Sequence, residues 1–140
     1  MHKLSSILHF VIGISALVSG IGLMIDSSGT FLGLSTTLLV NGPFENYRIL
    51  GIIVVIIFGL GNLLGWWAGH RNHVYTASMS LIMGILLLIA TLFESWVFAE
   101  FYPWLQLLAI IGTIQLLWGW VLRRDFVART NSRRWHGKRA

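Results

Sequence analysis

Residues 49–69 read ILGIIVVIIFGLGNLLGWWAG. The stretch carries no charged side chain. As a helix, about 20 predominantly apolar residues cross a hydrocarbon core of roughly 30 Å. An open sheet would leave backbone groups unpaired in lipid, so a helix is the reading. Working outward, three further stretches have the same character: residues 4–25, 74–93 and 104–122. The expected fold is an all-α membrane protein, an antiparallel four-transmembrane-helix bundle.

Composition agrees with that reading. Of 140 residues, 56% are hydrophobic and 11% charged, where a soluble domain carries about 25% charged residues. The length is that of one domain. There is no cysteine, which excludes disulfides, thiolate nucleophiles and Cys-based metal sites. The first span resembles a secretory h-region, with His2 and Lys3 before it. It is too long for one, and no small-x-small cleavage site follows, so the segment is expected to be retained. The expected organisation is a transmembrane domain over 1–122, with an outer loop at 26–48, and a basic cytoplasmic tail over 123–140.

Lys and Arg set the orientation. With four spans, the chain ends and the 70–73 connection share a side. That side holds Lys3, Arg71, Arg123, Arg124, Arg129, Arg133, Arg134, Lys138 and Arg139, against Arg48 on the other. Asp26, Glu45, Glu94 and Glu100 fall outside and only Asp125 inside. Both termini are therefore read as cytoplasmic. Trp66, Trp67, Trp118 and Trp120 near one interface, and Phe44, Tyr47, Trp96, Phe101, Tyr102 and Trp104 near the other, fit aromatic belts.

In the outer loop, Asp26-Ser27-Ser28-Gly29 and Asn41-Gly42-Pro43 are turn signals. The apolar run between them, 31–40, is too short to span and is expected as a short interfacial or re-entrant helix with Phe31, Leu34, Leu38 and Leu39 on one face. It would act as an ordered lid, or as a gate or docking surface. Pro103 suits the first turn of the fourth span. In the tail, Arg123, Arg124, Arg129, Arg133 and Arg134 are candidate contacts for anionic lipid head groups, at about 1 kcal/mol per basic residue near the surface. The plainer account is positive-inside topology alone.

Polar side chains within the spans are the best functional pointers. His9, Gly13, Ala16 and Gly20 share a face of the first span. Gly51, Asn62, Gly65 and Gly69 do so in the second, Thr76, Ser80, Gly84, Thr91 and Ser95 in the third, and Gly112, Gln115 and Gly119 in the fourth. Small residues alongside polar ones mark the interior of a bundle in lipid. At 1.5 Å per residue, His9, Asn62, Ser80 and Gln115 sit roughly 8–10 Å from the cytoplasmic ends of their helices. They are expected to form one polar cluster in the cytoplasmic half. Interhelical hydrogen bonding would explain such a cluster, at about 0.6 kcal/mol per bond. The alternative is a polar cavity for a small molecule, a lipid head group or a proton, with His9 carrying any titration.

Asp26, Glu45, Glu94 and Glu100 form an outer acidic rim, read either as hydrated helix ends or as a cation site. His70 and His73 make an isolated HxxH, weak as a metal signal. Gly61-x-x-x-Gly65 and Gly65-x-x-x-Gly69 permit close helix approach within the chain or between copies.

Asp26-Ser27-Ser28-Gly29, Leu32-Gly33 and Pro43-Phe44-Glu45-Asn46-Tyr47 together follow a D-x-S-G, L-G, P-F-x-x-Y pattern. This pattern resembles that of a group of small bacterial four-helix membrane proteins with a Gly-rich second span. The resemblance covers about the first half of the chain. It implies a bacterial plasma membrane and no activity. The group's Pro-Gly at the head of the second span stands here as Leu50-Gly51.

No nucleophile–base pair, metal ligand set or paired carboxylates fall within the spans, so the chain is read as non-catalytic, without cofactor or metal. The expected function is that of an accessory or binding protein engaging membrane lipids, anionic ones included, a membrane-protein partner or a second copy of itself, and no nucleic acid. The alternative is a small oligomeric transporter or channel using a polar cavity in the cytoplasmic half.

Overall fold

The computed structural model describes residues 2–39, 41–71, 73–98 and 103–137. All regular structure among them is helical. Helix α1 is His2–Ile25. The second long helix is composite: α2 is Arg48–Ile53, a π-helical stretch runs over Val54–Leu60, and α3 is Gly61–Arg71. Helices α4, His73–Phe98, and α5, Pro103–Gly137, complete the set. Among the described residues, four helices are long and apolar enough to cross a membrane: Lys3–Ile25, Arg48–His70, Tyr75–Phe98 and Pro103–Ala128. Their outward faces carry large apolar side chains such as Ile7, Ile56, Leu92 and Ile110, which suits lipid contact.

All four helices outrun the expected spans, two of them by five residues or more. Helix α4 continues five residues past Phe93, through Glu94 to Phe98, because Trp96, Val97 and Phe98 keep the apolar pattern going. Helix α5 continues beyond Leu122 to Gly137. The stretch expected as a separate tail is thus helical through Gly137. Arg123 and Arg124 are exposed on it, with the Arg124 guanidinium 4.7 Å from the Trp120 ring centroid. The side chains of Arg71, His73, Arg129, Arg133 and Arg134 lie outside what is described, as do Glu100, Phe101, Tyr102, Lys138 and Arg139 altogether.

The helices pack as two glycine-lined pairs. Gly20 sits against the Gly51 carbonyl, Gly59 against Leu17, and Gly65 against the His9 ring, which joins α1 to the composite helix. Gly84 meets the Gly112 carbonyl and the Leu116 backbone, and Gly119 meets Ala77 and Leu81, which joins α4 to α5. Without side chains in the way, backbones approach closely and gain dispersion contact, the main attraction between helices in lipid. The pairs meet chiefly where α3 lies against α4, with α1 touching α4 and α5.

The 26–47 connection differs from the expected single helix. It forms two short 3₁₀ turns, Thr30–Leu32 and Thr36–Leu39. Gly33, at φ 69°, ends the first turn, and no α-helix continues through a left-handed residue. Consequently Phe31 and Leu39 do not share a face: Phe31 stays exposed, with Gly22 beneath its ring, whereas Leu39 is buried. Leu39 packs with Leu23, Tyr47, Val97, Phe98 and Leu105. The connection is a folded cover over one end of the helices.

Candidate functional site

Four helices each bring one polar side chain to a common point. His9 of α1, Asn62 of α3, Ser80 of α4 and Gln115 of α5 are all at most 1% exposed. The directions of their hydrogen bonds follow from one fixed group. Asn62 Nδ2 donates to the Phe58 carbonyl at 2.8 Å, at the wider π-helical turn, so Asn62 Oδ1 faces the cluster as an acceptor. It takes two donors, His9 Nδ1–H at 2.7 Å and Gln115 Nε2–H at 2.7 Å. In neutral His9 the other ring nitrogen, Nε2, then accepts from the Ser80 hydroxyl at 2.8 Å. Ser80 accepts in turn from Ser5, 3.1 Å away. The 3.4 Å approach of Gln115 Nε2 to His9 Nδ1 sets two donors side by side and adds nothing in this tautomer.

The sequence places Ser5 one helical turn before His9, on the same face. It goes unremarked there because it stands at the edge of the span. Two buried atoms next to this network have no hydrogen-bond partner among the described residues, Gln115 Oε1 and Trp118 Nε1. They are an acceptor and a donor one turn apart on α5.

Of the acidic rim, Asp26, Glu45 and Glu94 do not gather, and Glu100 lies outside the described residues. Among the described residues no three of His, Asp or Glu gather as a metal would require. Asp26 is consumed locally. Its Oδ1 accepts from the Ser28 hydroxyl at 2.5 Å and the Ser28 N–H at 3.2 Å, and its Oδ2 from the Phe31 N–H at 2.8 Å. These donors, the Ser28 hydroxyl first, hold its carboxyl below the usual carboxylate range. Glu45 is exposed.

Glu94 is elsewhere. It lines a cavity of about 460 Å³ between the two helix pairs. Ile12, Ala16, Val54, Phe58, Leu87 and Leu108 give that cavity apolar walls, and Leu32, Leu34 and Tyr47 of the 26–47 connection contribute at its covered end. None of His9, Asn62, Ser80 and Gln115 touches it. Glu94 stands within α4 rather than at its end, because the apolar Trp96-Val97-Phe98 beyond it carries the helix to Phe98. The Tyr47 hydroxyl is turned away, donating to the Ser35 carbonyl at 2.8 Å. His70 is exposed, its Nδ1 3.2 Å from the Trp66 carbonyl.

No protein-family model, curated protein or solved structure matches this chain.

Proposed function

We propose that this chain is a multi-pass protein of a bacterial plasma membrane, an antiparallel four-helix bundle with both termini in the cytoplasm, and that it works by binding rather than by catalysis. Its ligand is a lipid or other membrane-dissolved molecule held between the helix pairs, and the occupied bundle serves as an accessory to a membrane partner. The single supporting observation is the apolar cavity of about 460 Å³ reaching from α1 and the composite helix to α4 and α5 beneath the 26–47 cover. Binding pockets for small molecules fall at roughly 300–1,000 Å³ with mostly apolar walls. The orientation rests on the excess of Lys and Arg at one end of the spans.

Transport through the polar cluster has less in its favour. Its four side chains are buried and take one another as partners, so they offer little room for a passing solute. Native mass spectrometry of the protein released gently from its own membrane tests the proposal. A retained lipid or apolar small molecule, or a stoichiometric protein partner, is expected. A bare chain under every mild condition would overturn it.

A further inference from the structure

Among the described residues, Glu94 is the one carboxylate in the wall of the cavity. No hydrogen bond or ion pair to its carboxylate exists among the described residues, and no Lys, Arg or His lines the same space. Removing a carboxylate from water costs several kcal/mol unless a counter-charge comes close. A charge kept in a span without a structural partner is a functional group by default. The surroundings then restrict what the counter-charge is. Ca²⁺ asks for about 6–8 oxygen ligands, which one carboxylate and the Ser15 and Ser19 hydroxyls of an otherwise apolar wall do not supply. An anionic head group would be repelled. A neutral hydrocarbon would fill the space and leave the carboxylate uncompensated. An organic cation carried on an apolar body satisfies both the charge and the walls.

Resting on the binding function proposed above, we infer that the cavity between the helix pairs is a site for a monovalent hydrophobic cation, an ammonium- or phosphonium-type head with an apolar body, with Glu94 as its counter-ion. Ala90 stands one turn from Glu94 on α4 and lines the same cavity. Trp104 adds an aromatic ring to the wall, and ring faces attract organic cations. The shared chemistry covers two sources, a free hydrophobic amine and the amine head group of a bilayer lipid.

The test is calorimetric titration of the full chain in mild detergent with tetraphenylphosphonium and with tetraphenylborate, which match in shape and oppose in charge. The cation is expected to bind saturably at one per chain and the borate not to. Glu94→Gln is expected to weaken cation binding about tenfold or more. Ala90→Phe, which fills the space and leaves the carboxylate in place, is expected to abolish it. If Glu94→Gln fails to fold, the comparison of the two ions on the unmodified chain still decides. Displacement of the cation by phosphatidylethanolamine would identify a lipid head group as the source, and its persistence a free amine; both support the site. Equal binding of the two ions, or unchanged affinity in Glu94→Gln, would overturn the charge selection while leaving a cavity that binds apolar bodies. Absence of both ions from a chain that still retains a native lipid or partner would overturn this inference alone. A chain that binds neither ion and is otherwise bare overturns the binding function with it.

Discussion

Asn62 Oδ1 accepts hydrogen bonds from His9 Nδ1, 2.7 Å away on another helix, and from Gln115 Nε2, 2.7 Å away on a third. One oxygen thus ties three helices. Asn62→Leu would leave two buried donors without an acceptor. Such a group costs about 1–3 kcal/mol in a water-soluble protein, and interhelical bonds in membranes average about 0.6 kcal/mol. The expected loss is about 1–3 kcal/mol in total. Ser5→Ala removes only the last link of the chain and should cost about 0.6 kcal/mol or less. Unfolding in mixed micelles by sodium dodecyl sulfate ranks the two. An Asn62→Leu protein no less stable than Ser5→Ala would show that the cluster does not bind the helices together.

Glycines differ in what stands beside them, and stability should follow that difference. A Cβ on Gly84 would lie 2.7 Å from the Leu116 backbone nitrogen and 2.8 Å from the Gly112 carbonyl oxygen. Neither can move without separating α4 from α5. A Cβ on Gly61 would meet only the Met83 side-chain end, at 2.9 Å, and methionine readily repacks. Gly84→Ala should therefore cost about 1–3 kcal/mol, the usual effect of overpacking. Gly61→Ala should cost less than about 1 kcal/mol and could gain from helix propensity. Equal losses in the two variants would be incompatible with this packing.

Much of this was open to sequence reasoning, and the misses have physical causes. The helices and the convergence of His9, Asn62, Ser80 and Gln115 come from two regular quantities, the apolar run and the rise per residue, both insensitive to detail. The 31–40 stretch is apolar at helical spacing, but Gly33 at φ 69° interrupts it, and a glycine's sign of φ is not written in composition. Glu94 looks like a helix end because charges usually mark one. Whether it meets water or a cavity depends on how far apart the two helix pairs stand, and that spacing is set by contacts distant in sequence.

Tyr47 is almost fully buried, at 1% exposed, and its ring occupies the space beside Gly29. A Cβ on Gly29 would fall 2.8 Å from the ring, and the residue sits at φ 81°. Gly29→Ala combines left-handed strain, about 1–2 kcal/mol, with a collision in the cover. Gly33→Ala incurs only the strain, since nothing lies within 4 Å of its Cβ position. Hydrogen–deuterium exchange over residues 27–47 should rise strongly in Gly29→Ala and modestly in Gly33→Ala. The reverse order would mean that the cover does not rest on Tyr47.

Asp26 gives the cover a dependence on acid. Its carboxylate accepts from the Ser28 hydroxyl, the Ser28 N–H and the Phe31 N–H, and these donors favour the charged form. A carboxyl held below its ordinary range contributes fully to the folded cover above that range. The contribution is lost as pH falls through the depressed folded value, when the proton displaces the donors. Exchange protection of the Phe31 amide should therefore hold from neutral pH down past about pH 4, the ordinary carboxylate value, and fall only below it. In Asp26→Asn one oxygen becomes an NH₂ donor that cannot receive Phe31 N–H and Ser28 together. Its protection should be low at neutral pH already and should not change with acid. Protection lost at the same pH in both forms would assign the acid sensitivity to another group.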